Sequence, residues 1–191
     1  MSTARKLATY EDLLDAPEHL VAELIHGSVH TTPRPGPRHA SAAMLLGAGL
    51  HGPFDRGRGG PGGWLILIEP ELHLGEHVLV PDLAGWRRER MPSLPDAAYF
   101  SLAPDWVCEV SATNKTPGPS TAKLDRSVKL PIYAQHKIGY AWILDPTTRL
   151  LEVLQLQTRG WLLLDTFVGE DVVRPAPFDA VPFDLAELWR A

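Results

Sequence analysis

Two acidic side chains stand where apolar ones are expected. Asp82 closes the run Val78-Leu79-Val80-Pro81-Asp82, and Glu109 lies inside Trp106-Val107-Cys108-Glu109-Val110. A carboxylate in a segment destined for the interior is costly unless it is paired or bound to a cation. The two acids are 27 residues apart, a separation that lets adjacent strands bring them to one divalent metal. Metal-assisted hydrolysis of a phosphodiester, as in a nuclease, is the chemistry such a pair would serve.

Each acid also has a plainer reading. Pro81 lacks a ladder donor, so a strand ending there should lie at an edge or a bend. At such a place Asp82 either reaches a metal or is a simple turn residue. Strand alternation puts Val107, Glu109 and Ser111 on one face. That pattern implies a cleft on the Glu109 side, or merely a solvent-facing Glu109. Asp125, Lys129 and Tyr133 follow at steps of four, along one face of a helix predicted over Thr121–His136. On an isolated helix the same spacing gives a surface ion pair beside a half-buried tyrosine. Glu23, in Ala22-Glu23-Leu24-Ile25, is another acid in an apolar stretch. His39 follows a proline-rich turn, where it would contact substrate or cap the helix behind it. His73 and His77 have no zinc-ligand company in the sequence, and a single cysteine excludes the usual structural zinc sites.

The elements that must position these groups are short. Residues 1–8 read as a loose tail and 9–191 as one domain. Thr9 is placed as the N-cap of a helix ending at Pro17, with Asp12 three residues on completing a capping box. Val21–Ile25 and Ser28–Thr32 form a hairpin turning at Gly27. A helix is predicted over Arg38–Leu50, and the Gly-rich stretch His51–Gly63 is read as a flexible loop. Its glycines do not follow a strand as a phosphate-cradling motif requires. Strands are expected at Trp64–Ile68, Glu71–Leu74, Val78–Leu83 and Trp106–Ser111, with a polar connection over Arg87–Phe100 and a loop over Ala112–Ser120. Tyr140–Leu144, Leu150–Leu156 and Trp161–Phe167 read as an antiparallel meander, and Asp184–Trp189 as a closing helix.

Composition sets limits on function. A chain of 191 residues, 45% hydrophobic and 21% charged, suits one soluble domain with a full core. A net charge of −5 argues against gripping nucleic acid through overall charge, while leaving room for a local basic rim. Cys108 can form no intramolecular disulfide and is expected as a small buried hydrophobe rather than a nucleophile. No apolar signal core opens the chain and no apolar run is long enough to span a bilayer, so a cytoplasmic protein is expected.

The order of the pieces adds a resemblance. Glu23 stands in Glu-Leu-Ile-x-Gly-x-Val. After it come Arg38-His39, Val80-Pro81-Asp82, Cys108-Glu109-Val110-Ser111, Asp125-x-x-x-Lys129-x-x-x-Tyr133 and Tyr140-Ala141-Trp142-Ile143-Leu144-Asp145-Pro146. Over residues 8–156 this series resembles the Uma2 family of restriction-endonuclease-like proteins, in the PD-(D/E)xK nuclease superfamily. The resemblance implies an α/β (α+β) fold: a restriction-endonuclease-like mixed β-sheet flanked by helices, with an N-terminal hairpin and a C-terminal antiparallel meander. It implies an endonuclease that hydrolyses DNA with Mg2+, or Mn2+ in its place, and that pairs into a homodimer to cut both strands. Asp82 and Glu109 would be metal ligands, with the backbone carbonyl of Val110 as a further ligand and Glu23 as an auxiliary acid. His39, Asp125 and Tyr133 would stand on the substrate side.

In the superfamily a lysine normally lies two residues after the Glu, where this chain has Ser111. Lys129 matches the position of a lysine moved to the following helix, with Lys115 and Lys123 as competitors. The 16 residues from Glu109 to Asp125, which include Pro117-Gly118-Pro119, and Pro131 within the helix, depart from the family pattern. Oxygen ligands favour Mg2+ over Zn2+. Arg56, Arg58, Arg87, Arg88 and Arg90, in predicted loops, would meet the DNA backbone, or form an ordinary solvated surface. Two other functions suit the same residues: a nuclease fold that binds DNA or protein without cutting, and a metal-dependent hydrolase of small phosphate esters.

Overall fold

Pro81 and Asp82 mark the point where the chain leaves one sheet for another. The computed structural model describes residues 7–111 and 121–190. The expected loop Ala112–Ser120, with Lys115 and Pro117-Gly118-Pro119, lies outside the described residues, as do the first six residues of the expected tail. Strands β1 (Leu20–Ile25), β2 (Ser28–Pro33), β4 (Leu72–Leu74) and β5 (His77–Leu79) form a four-stranded sheet in the order β2-β1-β5-β4. Strands β3 (Trp64–Ile68), β6 (Leu83–Arg87), β7 (Trp106–Val110), β8 (Tyr140–Asp145), β9 (Leu150–Gln157) and β10 (Gly160–Val168) form the main sheet, ordered β10-β9-β8-β7-β6-β3. Two short strands, β11 (Val172–Val173) and β12 (Phe183–Asp184), pair beside it.

The expected strand Val78–Leu83 is therefore two strands in two sheets. Proline offers no donor to a ladder, so the chain bends at Pro81 and pairing restarts at Leu83. The restarted strand runs on through Gly85, a residue type that weakens a strand interior. A Cβ at Gly85 would lie 3.1 Å from the Trp106 ring and 3.3 Å from the Trp64 ring, so the position admits only the bare backbone without repacking.

The main sheet is mixed. Leu83 pairs antiparallel with Cys108, whereas Cys108 pairs parallel with Trp142; β8, β9 and β10 follow as the expected antiparallel meander. A parallel neighbour cannot be reached by a tight turn. The connection from β7 to β8 carries a helical segment, and that topology sets Lys129 over the sheet near Glu109.

This segment comprises α3 (Thr121–Leu124), a widened turn over Asp125–Lys129 and α4 (Leu130–Gln135); upstream lie α1 (Tyr10–Leu14) and α2 (Pro37–Leu50). Pro131 explains the widened turn. A proline ring crowds the carbonyl four residues earlier, and here the Leu130 N–H bonds five residues back to the Asp125 carbonyl. Such single π-type turns recur at functional sites.

Elsewhere local expectations hold with small shifts. Thr9 and Asp12 form the reciprocal capping box. Ala8 donates to the Gly27 carbonyl at 2.8 Å and Leu7 packs on that glycine, so the end of the expected tail is tied down. The stretch read as a flexible loop from His51 begins with a helical turn to Asp55, whose carboxylate accepts from the Ile66 N–H and from Arg88. The closing element Leu185–Trp189 is a 3₁₀-helix. No helix among the described residues is long and apolar enough to cross a membrane.

Both faces of the main sheet are covered. Cys108, Val110, Trp142 and Leu144 pack in the cluster that includes Leu46 and Leu50 of α2. On the other face, Val107 and Ile143 share a cluster with Ile132 and Tyr133 of α4 and with Ile25 and Leu79 of the smaller sheet.

Candidate active site

The junction between the two sheets collects the predicted acids. Glu109 is 3% exposed, which removes both the solvent-facing reading and the expected open cleft. Alternation does place it with Val107, but α4 and the smaller sheet cover that face. Asp125 and Lys129, at 3% and 4% exposure, are likewise no surface pair.

Lys129 is the hub. Its Nζ lies 2.9 Å from Glu23 Oε1, 3.0 Å from each carboxylate oxygen of Glu109 and 3.8 Å from Asp125 Oδ1. Burial alone would lower its pKa, but Glu109, Glu23, Tyr133 and Asp125 overcome this and hold it well above the usual lysine range. The Tyr133 hydroxyl donates to Glu109 Oε1 at 2.5 Å. Glu23 Oε1 accepts from the Val80 N–H at 2.8 Å, which ties β1 to the bend before Asp82.

Asp82 is fixed separately. Its Oδ2 accepts from the Val110 N–H at 2.7 Å, and its Oδ1 lies 3.1 Å from His39 Nε2. Neither contact has a sequence signature, because one partner is backbone and the other is 43 residues away. His39 sits in the first turn of α2, where its ring faces Asp82 and caps nothing. Burial would lower its pKa, yet the hydrogen bond and charge of Asp82 raise it overall, with smaller help from Val110 and Asp125.

Negative charge is in excess. Among the described residues, four carboxylates (Glu23, Asp82, Glu109 and Asp125) face one ammonium and one imidazole. Burial pushes the Glu109 carboxyl well up, against the pull of Lys129 and with the help of Asp125, Asp82 and Glu23. For the same leading reason Asp125 is raised to about 7. Its Oδ2 is buried without a hydrogen-bond partner among the described residues, an expensive state for a carboxylate that a cation would relieve. The donor set therefore fits a hard divalent ion.

Other candidates among the described residues stand apart from this cluster. Ser111, at the superfamily lysine position, extends β7 by donating to the Leu144 carbonyl at 2.7 Å. Lys123 is exposed. Cys108 is fully buried, and its thiol is pushed up by burial and by Asp82 and Glu109, as suits an inert hydrophobe. Of the predicted arginine rim, Arg87, Arg88 and Arg90 are displaced from the acids. Asp82 precedes β6 and Arg87 ends it, roughly 16 Å apart at the rise of a strand. There Arg87 lies over the Trp64 ring, Arg88 binds Asp55 and Arg90 binds Asp105.

The hydrogen bond from Tyr133 is open to a simple check. Tyr133→Phe keeps the buried ring but leaves Glu109 short of a donor, and should cost about 1–3 kcal/mol in urea unfolding.

Fold and site together define a restriction-endonuclease-like α+β protein. The chain belongs to the Uma2 family, described as "Putative restriction endonuclease", which it matches over residues 7–185. The fold is shared with the crystal structure of a putative nuclease belonging to DUF820 from Anabaena variabilis, at 21% identity and a TM-score of 0.73, over 95% of this chain and 97% of that chain. No curated protein matches the sequence.

Proposed function

We propose that this chain is a divalent-metal-dependent endonuclease hydrolysing DNA phosphodiester bonds, with Asp82, Glu109 and the Val110 carbonyl as the residues that hold Mg2+ or Mn2+. The observation that carries this reading is the gathering of Glu23, Glu109 and Asp125 around the buried Lys129 at the junction of the sheets, with Asp82 held beside Glu109 by the Val110 N–H. When bound, such an ion lowers the pKa of a water and polarises the scissile phosphate.

The remaining roles belong to the chain. His39 and the Val110 N–H orient Asp82. Tyr133 and Lys129 orient Glu109, and Lys129 must yield part of its hold on that carboxylate for it to serve as a ligand. The ammonium then stays beside the reacting phosphate and offsets negative charge growing on its oxygens. Lys123 and Arg126, on the helical segment that carries Asp125, are exposed cations suited to flanking phosphates; Arg126 pairs with Glu152.

The test is nicking of supercoiled plasmid by purified protein in Mg2+ or Mn2+, with chelator and Asp82→Asn as controls. Relaxed and linear products that both controls abolish are expected. Intact plasmid across a broad metal and salt screen, from a folded protein, would sink the reading.

A second reading has its own support. Both oxygens of Glu109 already contact Lys129, so the lysine can serve as a built-in cation in a domain that binds DNA or protein without cutting. Calorimetric titration with Mn2+ separates the two. Heat that vanishes in Asp82→Asn supports the nuclease, and no heat in the wild type supports the non-cutting module.

A further inference from the structure

Away from the acids, two hairpin turns and a helix end bring metal-type ligands to one place. Leu24 of β1 pairs with Val78 of β5, so the β1–β2 turn at His26-Gly27 lies beside the β4–β5 turn at Gly75-Glu76. Among the described residues, His26, Glu76 and His77 have donor atoms within 4.8 Å of one another. The His77 Nε2 is 3.9 Å from Glu76 Oε1, and the His26 and His77 rings meet edge to face at 4.7 Å. His136, the C-cap of α4, brings its ring close to Gly75; a Cβ there would lie 3.3 Å from its Cε1 and 3.5 Å from its Nε2. Sequence distance hides this grouping, since His77 has no histidine nearer than His73 along the chain.

We infer that His26, Glu76 and His77 form a binding site for a first-row divalent transition ion such as Zn2+, with His136 placed to complete it. Two or three imidazoles and a carboxylate are a donor set that suits Zn2+, in contrast to the all-oxygen site that suits Mg2+. His77 is the anchor, with a side chain 5% exposed, whereas Glu76 and His26 are exposed and free to close on an ion. Ligands around a tetrahedral ion stand about 3.4 Å apart, given bonds of about 2.1 Å, so rotation of two surface side chains suffices. Burial, then the neighbouring His26 and His136, lower the His77 pKa against the pull of Glu76, which keeps its imidazole neutral as a ligand must be. In the unloaded chain His77 Nδ1 accepts a long 3.3 Å bond from the His26 N–H, so the ring proton sits on Nε2. Loading transfers that proton to Nδ1 and gives up the contact, which makes micromolar rather than nanomolar affinity the expectation.

The experiment is calorimetric titration of the full chain with Zn2+ in excess Mg2+, repeated with Co2+ followed by visible absorption. Expected are one equivalent of Zn2+ bound, the intense absorption of tetrahedral Co2+, and a loss of affinity of at least roughly tenfold in His26→Ala and His77→Asn. His26→Ala, at an exposed turn, keeps the test sound if His77→Asn folds poorly. Asp82→Asn should leave Zn2+ binding unchanged. Absence of Zn2+ binding in the wild type, unaltered binding in His26→Ala, or loss of binding in Asp82→Asn would each overturn the inference.

Discussion

Lys129→Met is expected to destabilise the metal-free protein by about 3–5 kcal/mol at neutral pH, the cost of leaving buried charges without their counter-ion. Glu23 and Glu109 both lie within 3.0 Å of the ammonium, and among the described residues nothing else with a full positive charge contacts them. The same variant should cut DNA roughly 10²–10³-fold more slowly, the usual loss when one stabiliser of transition-state charge is removed. Its affinity for Mn2+ should rise, because a like charge beside the ion has gone. These three effects point in different directions, which makes the variant informative. Urea unfolding in chelator, calorimetry with Mn2+ and plasmid cleavage measure them in turn. A purely structural lysine would lower stability and activity together and leave tight metal binding no better. Cleavage at the wild-type rate in Lys129→Met would remove the residue from the catalytic machinery.

The spacing of Asp125, Lys129 and Tyr133 was legible because helical periodicity survives into the structure, and Lys129 and Tyr133 both reach Glu109. Glu109 was legible as an acid within a buried strand, but its covering was not. Whether a face is roofed depends on where a distant helix and a second sheet come to rest, and no local pattern encodes that. The bend at Pro81 was foreseeable from proline's missing donor; that it transfers the chain between two sheets was not, because the new strand contains Gly85. The arginines illustrate the reverse error. Their sequence clustering near the acids counts for little when one extended strand carries Arg87 to the opposite end of the sheet. The His26–His77 cluster was invisible for a related reason: it arises from antiparallel pairing of β1 with β5, strands some 50 residues apart.

Asp125→Asn should stabilise the metal-free protein at pH 8 and do almost nothing at pH 4. The Asp125 carboxyl is raised from 3.8 to about 7 by burial, with Lys129 opposing and Asp82 and Glu23 adding to the rise. Below pH 4 the folded and unfolded states are both protonated, so the group contributes no difference. Between the two values the unfolded chain has released its proton while the folded chain keeps it, so stability falls as pH climbs. Above pH 7 the folded protein carries the full penalty, at most about 4 kcal/mol for a shift of this size. An amide cannot ionise and escapes that penalty, which is already net of the attraction to Lys129 3.8 Å away, so a gain of up to about 4 kcal/mol at pH 8 is expected. Urea unfolding across the pH range measures it. A divalent ion distinguishes the origin of the effect. If the unpartnered Oδ2 is held in readiness for a cation, Mg2+ should recover stability in the wild type at pH 8 and recover less in Asp125→Asn. Equal recovery in both would place Asp125 outside the reach of the ion. No gain at pH 8 would show that Lys129 already compensates the charge in full.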